Sequence, residues 1–140
     1  MKSLAILALL LFAVSPAAFA APVHVLIPNW SSYTQGMICI VDAGYNSQFS
    51  NLIHASDFAT DRTDRNSALK LMSFFKDVDV DACYVPKGSS QHVNVENRDN
   101  VYVVTILMRV AGDRATNVYW NITNLDGHIE QYVTVDAPAL

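Results

Sequence analysis

Histidine is the commonest protein ligand for metal ions and also a general acid or base near neutral pH. Four histidines are spread along the 140 residues: His24, His54, His92 and His128. None belongs to a His-x-x-x-His pair or a His-Glu-x-x-His motif, and a zinc site needs three or four convergent ligands. The sequence therefore predicts no metal site and no other cofactor.

Aspartates recur at regular spacing in two sets: Asp57, Asp61 and Asp64, and Asp77, Asp79 and Asp81. The first set would align on one helical face, but arginines alternate with it, so surface ion pairing explains the pattern. The second set matches the start of a calcium-binding loop, except that Ala82 stands where glycine is required and Gly88 where glutamate is required. Solvated charges are expected at both sets.

Motifs for nucleophilic catalysis are missing. The sequence contains no Gly-x-Ser-x-Gly and its five glycines are isolated, so neither a nucleophile elbow nor a phosphate-binding loop is predicted. Asp42, directly after an apolar run, is the acid whose position best fits the partial burial used in acid–base catalysis. A turn at the end of a strand is the other role open to Asp42.

Cys39 and Cys83 are the two cysteines of the chain, and we predict that they form one structural disulfide. Redox activity usually needs Cys-x-x-Cys or an activating neighbour, and neither occurs. The bridge would close a loop of about 45 residues, which stabilises a fold by roughly 4 kcal/mol in the chain-entropy model. An oxidising compartment is expected.

The first twenty residues predict export. Lys2 gives a positive start, residues 4–14 are an apolar run, and Ala-Phe-Ala at 18–20 fits a cleavage site. The run is too short to span a membrane, which takes about 20 residues. Residues 1–20 are therefore predicted to be a signal peptide, and 21–140 a single secreted or periplasmic domain without membrane insertion.

The charge balance argues against two classes of partner. The formal net charge is −4, and −5 without Lys2, because thirteen acidic side chains then face eight basic ones. Nucleic acids and anionic membrane surfaces both select clustered positive charge. The lysines and arginines of this chain are dispersed, so neither partner is expected. Two Asn-x-Ser/Thr sequons, at Asn29 and Asn121, accept a glycan if the host glycosylates exported proteins.

The elements that would position these residues begin with two apolar runs. Residues 23–27 are a β-rich run ended by Pro28, which predicts an edge or entry strand because proline donates no ladder hydrogen bond. Residues 37–41 are apolar throughout and fit a buried strand or a buried helix. Gly36 before this run and Gly44 shortly after it favour the strand.

Helical spacing follows. Phe49, Leu52 and Ile53 begin it, with Asn46 or Ser47 as the N-cap. A second helix is predicted after an Asp64 N-cap, since its apolar residues fall at i, i+3, i+4, i+7 and i+10. This stripe consists of Ala68, Leu71, Met72, Phe75 and Val78. Short strands are predicted next at 82–85 and 91–95.

Residues 101–135 have the pattern of a β-meander. Asp126-Gly127 between alternating runs is a strong hairpin signal, and a two-residue loop there would place Trp120 opposite Val133 and Val118 opposite Val135. For the preceding turn, a three-residue loop at 112–114 keeps one apolar face by pairing Met108 with Val118 and Ile106 with Trp120. The opposite face, which carries positions 103, 105, 107, 109 and 121, is predicted to lie in solvent.

Two helices before an antiparallel sheet predict an α+β domain in which the helices cover the apolar face of the meander. The order of elements over residues 46–136 resembles the cystatin-like or NTF2-like roll, and the resemblance carries no site residues. An all-β sandwich, with residues 37–41 as a central strand, is the alternative fold.

The missing catalytic constellation, the disulfide-tied domain and the mildly acidic charge predict an exported, non-catalytic binding domain. Its partner would be a protein or a small apolar ligand. Trp30, in a polar loop, and Tyr102 and Tyr132, on the meander, are the predicted contacts, because aromatic side chains often anchor partners. The alternative is a small pocket enzyme that pairs an acid such as Asp42 with a tyrosine or histidine. A cavity that holds such a pair would favour the enzyme, and an interior filled by core side chains would not.

Overall fold

The computed structural model describes residues 21–77, 83–95, 99–126 and 132–140. Several predictions therefore lie wholly or partly outside the described residues. They are the signal peptide at 1–20, Val78 in the stripe of the second helix, the alternating aspartates at 77–81, the start of the strand at 82–85, the turn that includes Gly127 and His128, and residues 129–131 of the last strand. Within the described ranges the elements are β1 (Ala21–Leu26), β2 (Gln35–Asp42), α1 (Ser47–Ile53), α2 (Arg65–Asp77), β3 (Cys83–Tyr84), β4 (Ser90–Val95), β5 (Val101–Ala111), β6 (Arg114–Asn124) and β7 (Tyr132–Thr134).

Four strands form an antiparallel sheet in the order β3-β2-β5-β6. The apolar run at 37–41 lies in β2, an inner strand of this sheet, so the strand prediction is confirmed. Cys39 and Cys83 face each other across β2 and β3. Their Cα atoms are 4.1 Å apart and the predicted disulfide joins them, which fastens the two-residue strand β3 to the sheet.

The β5–β6 hairpin has the predicted register but a different turn. Met108 pairs with Val118 and Ile106 with Trp120, as expected. The predicted three-residue loop is wrong, because Ala111 pairs with Arg114 and leaves only residues 112–113 in the turn. A bulge at Thr116, opposite the step from 109 to 110, supplies the extra residue that restores the alternation of faces. Gly112 has a φ of +65°, as the first position of a type II′ hairpin turn requires.

Three strands form a second sheet in the order β4-β1-β7. β1 is antiparallel to β4 and parallel to β7, so it is the central strand, and its prediction as an edge strand was wrong. Pro22 is tolerated there because β7 pairs only with residues 24–26. The missing N–H of the proline therefore costs no bond to β7.

The predicted pairing of β6 with a strand at 129–135 is also wrong over the described residues 132–135. Val133 does not pair with Trp120; it pairs with Val25 of β1, in the other sheet. The backbone N–H of Val135 donates to the carbonyl of Leu26 at 2.8 Å. Alternating apolar residues need a buried face, and the second sheet supplies one as well as β6 would have done.

Two hydrophobic cores lie on opposite faces of the four-stranded sheet. The inter-sheet core joins residues such as Val25, Val93 and Val133 to Val103 and Leu107. The helix-side core joins α1 and α2 to the other face. The four-stranded sheet is therefore buried on both sides, between the helices and the second sheet. The prediction that the face with positions 103, 105 and 107 lies in solvent was wrong, since these residues are at most 1 % exposed.

Both helices begin at the predicted residues. The Asn46 side chain accepts a hydrogen bond from the Phe49 N–H at 3.2 Å, and the Asp64 carboxylate accepts one from the Ser67 N–H at 2.8 Å. The stripe on α2 buries Ala68, Leu71 and Phe75 in the helix-side core. The α+β class, with two helices on a meander-like antiparallel sheet, is confirmed. Within the described ranges, no helix is long and apolar enough to cross a bilayer.

Candidate binding face

Strand alternation in the second sheet turns one set of side chains toward the core and the other toward solvent. Val23, Val25, Val93 and Val133 are buried between the sheets. The intervening residues His24, His92 and Tyr132 point the other way, because neighbours along a strand face opposite sides. We call the surface formed by these three residues the histidine face. It lies on the side of the molecule opposite the helices.

The three rings of the histidine face contact one another. His24 and His92 are directly opposite in the β1–β4 ladder, and their ring centroids are 4.1 Å apart in an edge-to-face arrangement. His24 also pairs with Tyr132 of β7, and those two rings stack at 5.7 Å with an interplanar angle of 21°. His24 thus lies between two rings supplied by strands that are remote in the sequence.

The histidine face is accessible from solvent. Tyr132 is 59 % exposed, His92 is exposed, and His24 is half-buried between them. Among the described residues, no hydrogen bond or salt bridge holds either imidazole. Within the described ranges the ring nitrogens therefore have no competing partner, and the backbone beneath them is fixed by the sheet and the inter-sheet core.

The other two predicted contact residues lie elsewhere. Trp30 is half-buried and packs against the inter-sheet core, with its ring over Gly36. Tyr102 is half-buried on the helix side, where its ring is 5.6 Å from that of Phe49. The structure therefore does not bring Trp30, Tyr102 and Tyr132 together, and of the three only Tyr132 is a mainly exposed aromatic ring.

Both sequon asparagines are half-buried and already bonded. The Asn29 amide donates to the carbonyl of Ala137 at 2.6 Å. The Asn121 side-chain oxygen accepts a hydrogen bond from the Thr123 hydroxyl at 2.7 Å. Glycosylation at either position stays a prediction, and a glycan on Asn29 would compete with the bond that holds the C-terminal segment.

Asp42 lies at the end of β2, as the catalytic alternative assumed. It is half-buried, and its carboxylate accepts a hydrogen bond from the backbone N–H of Gly44 at 2.9 Å. This is the geometry of a turn former. Among the described residues, no tyrosine or histidine donates a hydrogen bond to this carboxylate.

The regularly spaced aspartates serve three separate local roles. Asp57 forms a 2.7 Å salt bridge with Lys70, and this hydrogen bond lowers the pKa of the Asp57 carboxyl. Asp61 accepts from the N–H and the hydroxyl of Thr63, which lowers its pKa, and Asp64 caps α2. The predicted pairing with arginines was wrong within the described part of the chain: Arg62 instead stacks over Trp120 at 4.8 Å.

The helix-side interior is filled. Phe49, Leu71, Phe75, Ile106 and Trp120 belong to one buried cluster. A small pocket of about 170 Å³ is lined by apolar side chains that include Met37, Met72 and Met108. A wider, open groove of about 960 Å³ runs between α1 and α2 and is lined largely by polar side chains such as Gln48 and Asn66. Neither encloses a buried carboxylate.

The described residues contain no group of three or more histidine, cysteine, aspartate or glutamate side chains that could hold a metal ion. His24 and His92 form a smaller set, a pair of such side chains with ring centroids 4.1 Å apart. Sequence spacing missed it because the two residues lie on different strands. The available signal was weak: each histidine alternates with buried valines, which indicates an outward direction but not a neighbour.

Comparison with known proteins adds no relative: no protein-family model, curated protein or solved structure matches this chain.

Proposed function

We propose that this chain is an exported, non-catalytic binding domain that recognises a protein partner through the histidine face. The observation that carries the proposal is Tyr132, a 59 % exposed ring stacked on His24. Tyrosine is enriched among residues that dominate binding energy, because it offers a large rigid surface and a polar hydroxyl. Here the ring lies on a sheet whose other side is core, so little ordering would be lost on binding.

The filled interior supports binding over catalysis. An acid–base enzyme needs its carboxyl group within hydrogen-bond reach of a second catalytic group, in a cavity that admits substrate. Asp42 is committed to a backbone turn, and the helix-side core is closed by large side chains. No specific observation among the described residues favours the pocket enzyme, so we do not propose it.

The surfaces of this chain fit a protein partner better than a small apolar ligand. The methionine-lined pocket of about 170 Å³ has room for little more than a benzene-sized molecule, judged from engineered cavities of about 150 Å³ that bind one. The histidine face is instead open and part of a broad sheet surface. The disulfide between Cys39 and Cys83 is compatible with an oxidising compartment, where we propose that the partner is met.

Site-specific photocrosslinking tests this proposal. A photoreactive phenylalanine analogue placed at Tyr132 in the mature chain should crosslink one protein from the native extracellular or periplasmic fraction. The same analogue at Tyr45, which is 93 % exposed and precedes α1 on the other side of the molecule, is the matched control and should not crosslink that protein. Capture of that protein is then compared among chains without the photoreactive analogue. Relative to wild type, it should fall at least about tenfold for Tyr132→Ala, since a central tyrosine contributes about 2 kcal/mol or more. It should remain unchanged for Tyr45→Ala.

Two outcomes would contradict the proposal. One is equal crosslinking from positions 45 and 132, which would show that contact at Tyr132 is non-specific. The other is a captured partner whose binding is unchanged by Tyr132→Ala, which would place the contact on another surface.

A further inference from the structure

We propose that His24 and His92 together form a two-ligand binding site for a divalent transition-metal ion, best suited to Cu²⁺ and Ni²⁺. The site lies on the histidine face, but it goes beyond the proposed function, because metal binding by the bare protein requires no partner. It rests on three features of the described residues: the separation of the two rings, the absence of competing bonds, and the rigidity of the strands.

The separation of the rings matches shared coordination. Metal–imidazole nitrogen distances are about 2.0–2.1 Å, so two nitrogens on one ion lie about 3 Å apart in square-planar or tetrahedral geometry. The imidazole centroids of His24 and His92 are 4.1 Å apart. Shared coordination then requires that the side chains rotate until one nitrogen of each ring faces a common point, while the paired backbone stays in place.

Within the described part of the chain, neither ring has to break a hydrogen bond to do so. Among the described residues, His54 has its ring nitrogen 2.8 Å from the carbonyl oxygen of Ser50, whereas no hydrogen bond is made by the imidazole of His24 or His92. An unbonded imidazole is a better ligand than one that must first give up a hydrogen bond. His54 is therefore the natural comparison within the same chain.

The backbone holds the two ligands in place. His24 and His92 are a directly opposed pair in the β1–β4 ladder, where β-carbons lie about 4.5–5.5 Å apart. Both strands are backed by buried Val23, Val25 and Val93. Ligands on rigid elements lose less entropy on binding than ligands on loops.

The chemistry of the ligands selects the ion. Imidazole suits Cu²⁺, Ni²⁺ and Zn²⁺, and affinity for a given nitrogen site rises from Mn²⁺ to Cu²⁺. Because His24 and His92 supply only two ligands, the remaining positions on the ion stay open to water. The site should be weaker than a structural zinc site, which is closed by four protein ligands.

Titration of the disulfide-intact mature chain with Ni²⁺, monitored by calorimetry, tests the inference. Wild type should bind one Ni²⁺ per chain. His24→Asn and His92→Asn should each weaken binding by about tenfold or more, since the loss of residues that merely support ligands already costs 10–100-fold. His54→Asn is the matched control and should bind like wild type. Binding should also decline on acidification, because protons compete with the ion for imidazole nitrogen.

A spectroscopic measurement on wild type makes the test independent of any folding defect in the variants. Substoichiometric Cu²⁺ should broaden the imidazole proton signals of His24 and His92 before those of His54, since paramagnetic broadening falls steeply with distance. Absence of saturable Ni²⁺ binding, or equal Ni²⁺ affinity in wild type and both variants, would overturn the site. Binding that survives both substitutions would assign the ion to another group, such as the terminal amine. None of these results depends on capture of a protein partner at Tyr132.

Discussion

At the scale of single residues, Gly36 is constrained by its neighbours. A β-carbon added there would lie 2.6 Å from the ring of Trp30 and 2.8 Å from a methyl group of Leu107. Leu107 is fully buried, so it has little room to move. The absence of a side chain at Gly36 is what lets the indole of Trp30 lie against the sheet.

We therefore expect Gly36→Ala to lower the free energy of unfolding by about 1–3 kcal/mol, the usual cost of overpacking. Denaturant unfolding measures this. In a Trp30→Ala background the same substitution should cost clearly less, because the ring it meets has been removed. An equal cost in both backgrounds would show that the added β-carbon is opposed by Leu107 or the backbone and not by Trp30.

The ion pair between Lys70 and Asp57 allows a prediction with an internal control. Lys70→Met should raise the pKa of the Asp57 carboxyl toward its ordinary value, because the hydrogen bond and the charge of Lys70 lower it. The pKa of Asp61, lowered by Thr63, should not change. NMR titration of the two carboxyls measures both.

The sign of the pH effect follows from that shift. A carboxyl whose pKa is lower in the folded chain stabilises the fold above its unfolded pKa and loses that contribution as the pH falls through the folded value. The contribution of Asp57 should therefore disappear in acid, below its ordinary pKa of 3.8. An unchanged Asp57 titration in Lys70→Met would contradict the ion pair. The stability effect should be small, since exposed ion pairs are screened by solvent.

Residue-scale prediction from the sequence succeeded where the cause is local. Asp64 was predicted as a helix cap, and Asn46 as one of two candidate caps beside Ser47, because a cap depends on the next three residues. The pair His24–His92 could not be predicted, because it depends on the register of two strands whose order in the sheet the sequence pattern does not encode. The candidate site thus rests on a tertiary contact, and only Tyr132 of its three residues was anticipated.

At the scale of elements, Asp64 controls the start of α2. Its carboxylate accepts from the Ser67 N–H at 2.8 Å, and the helix supplies Ala68, Leu71 and Phe75 to the core. Asp64→Ala should lower the free energy of unfolding by about 1 kcal/mol, the typical cost of losing an N-cap. Asp64→Asn should be close to neutral, because asparagine caps equally well. Equal losses in both variants would show that the charge of Asp64 matters and the cap does not.

The two hairpins predicted in the C-terminal region, of which only β5–β6 forms, show what strand patterns can and cannot predict. For β5 and β6 the alternation of apolar residues gave the correct pairing of Ile106 with Trp120, but the required extra residue is Thr116 in a bulge and not a third loop residue. The alternation of faces along the two strands fixes only whether the total number of loop and bulge residues is odd or even. A pattern can therefore predict register while leaving the turn undetermined.

For β7 the pattern gave the wrong partner. Alternation correctly predicted that Val133 and Val135 are buried, but it carries no information on which sheet buries them. The local Asp-Gly signal favoured an antiparallel return to β6, and the structure instead pairs β7 in parallel with β1. Because the second sheet was not predicted, nothing in the predicted fold buried the face that carries Leu107.

At the scale of the whole molecule, the disulfide between β2 and β3 closes a loop that contains both helices. Cys39 and Cys83 are separated by 44 positions, and both helices lie within the loop they close. Reduction should lower the free energy of unfolding by roughly 4 kcal/mol on the chain-entropy account, with a clear fall in the urea midpoint in dithiothreitol. A Cys39→Ala, Cys83→Ala double variant should show no response to dithiothreitol. A midpoint that dithiothreitol leaves unchanged in wild type would contradict a stabilising bridge.

The parallel pairing of β7 with β1 has a consequence for the order in which the chain can acquire its structure. Ribosomes make β1 first among the described strands and β7 last, yet His24 meets Tyr132 in one ladder. The inter-sheet core, with Val25 and Val133 in contact across that ladder, cannot close until nearly the whole chain has been made. Pairing between such distant segments is slow. The second sheet and the inter-sheet core would therefore be the last parts of the fold to close as the chain is made.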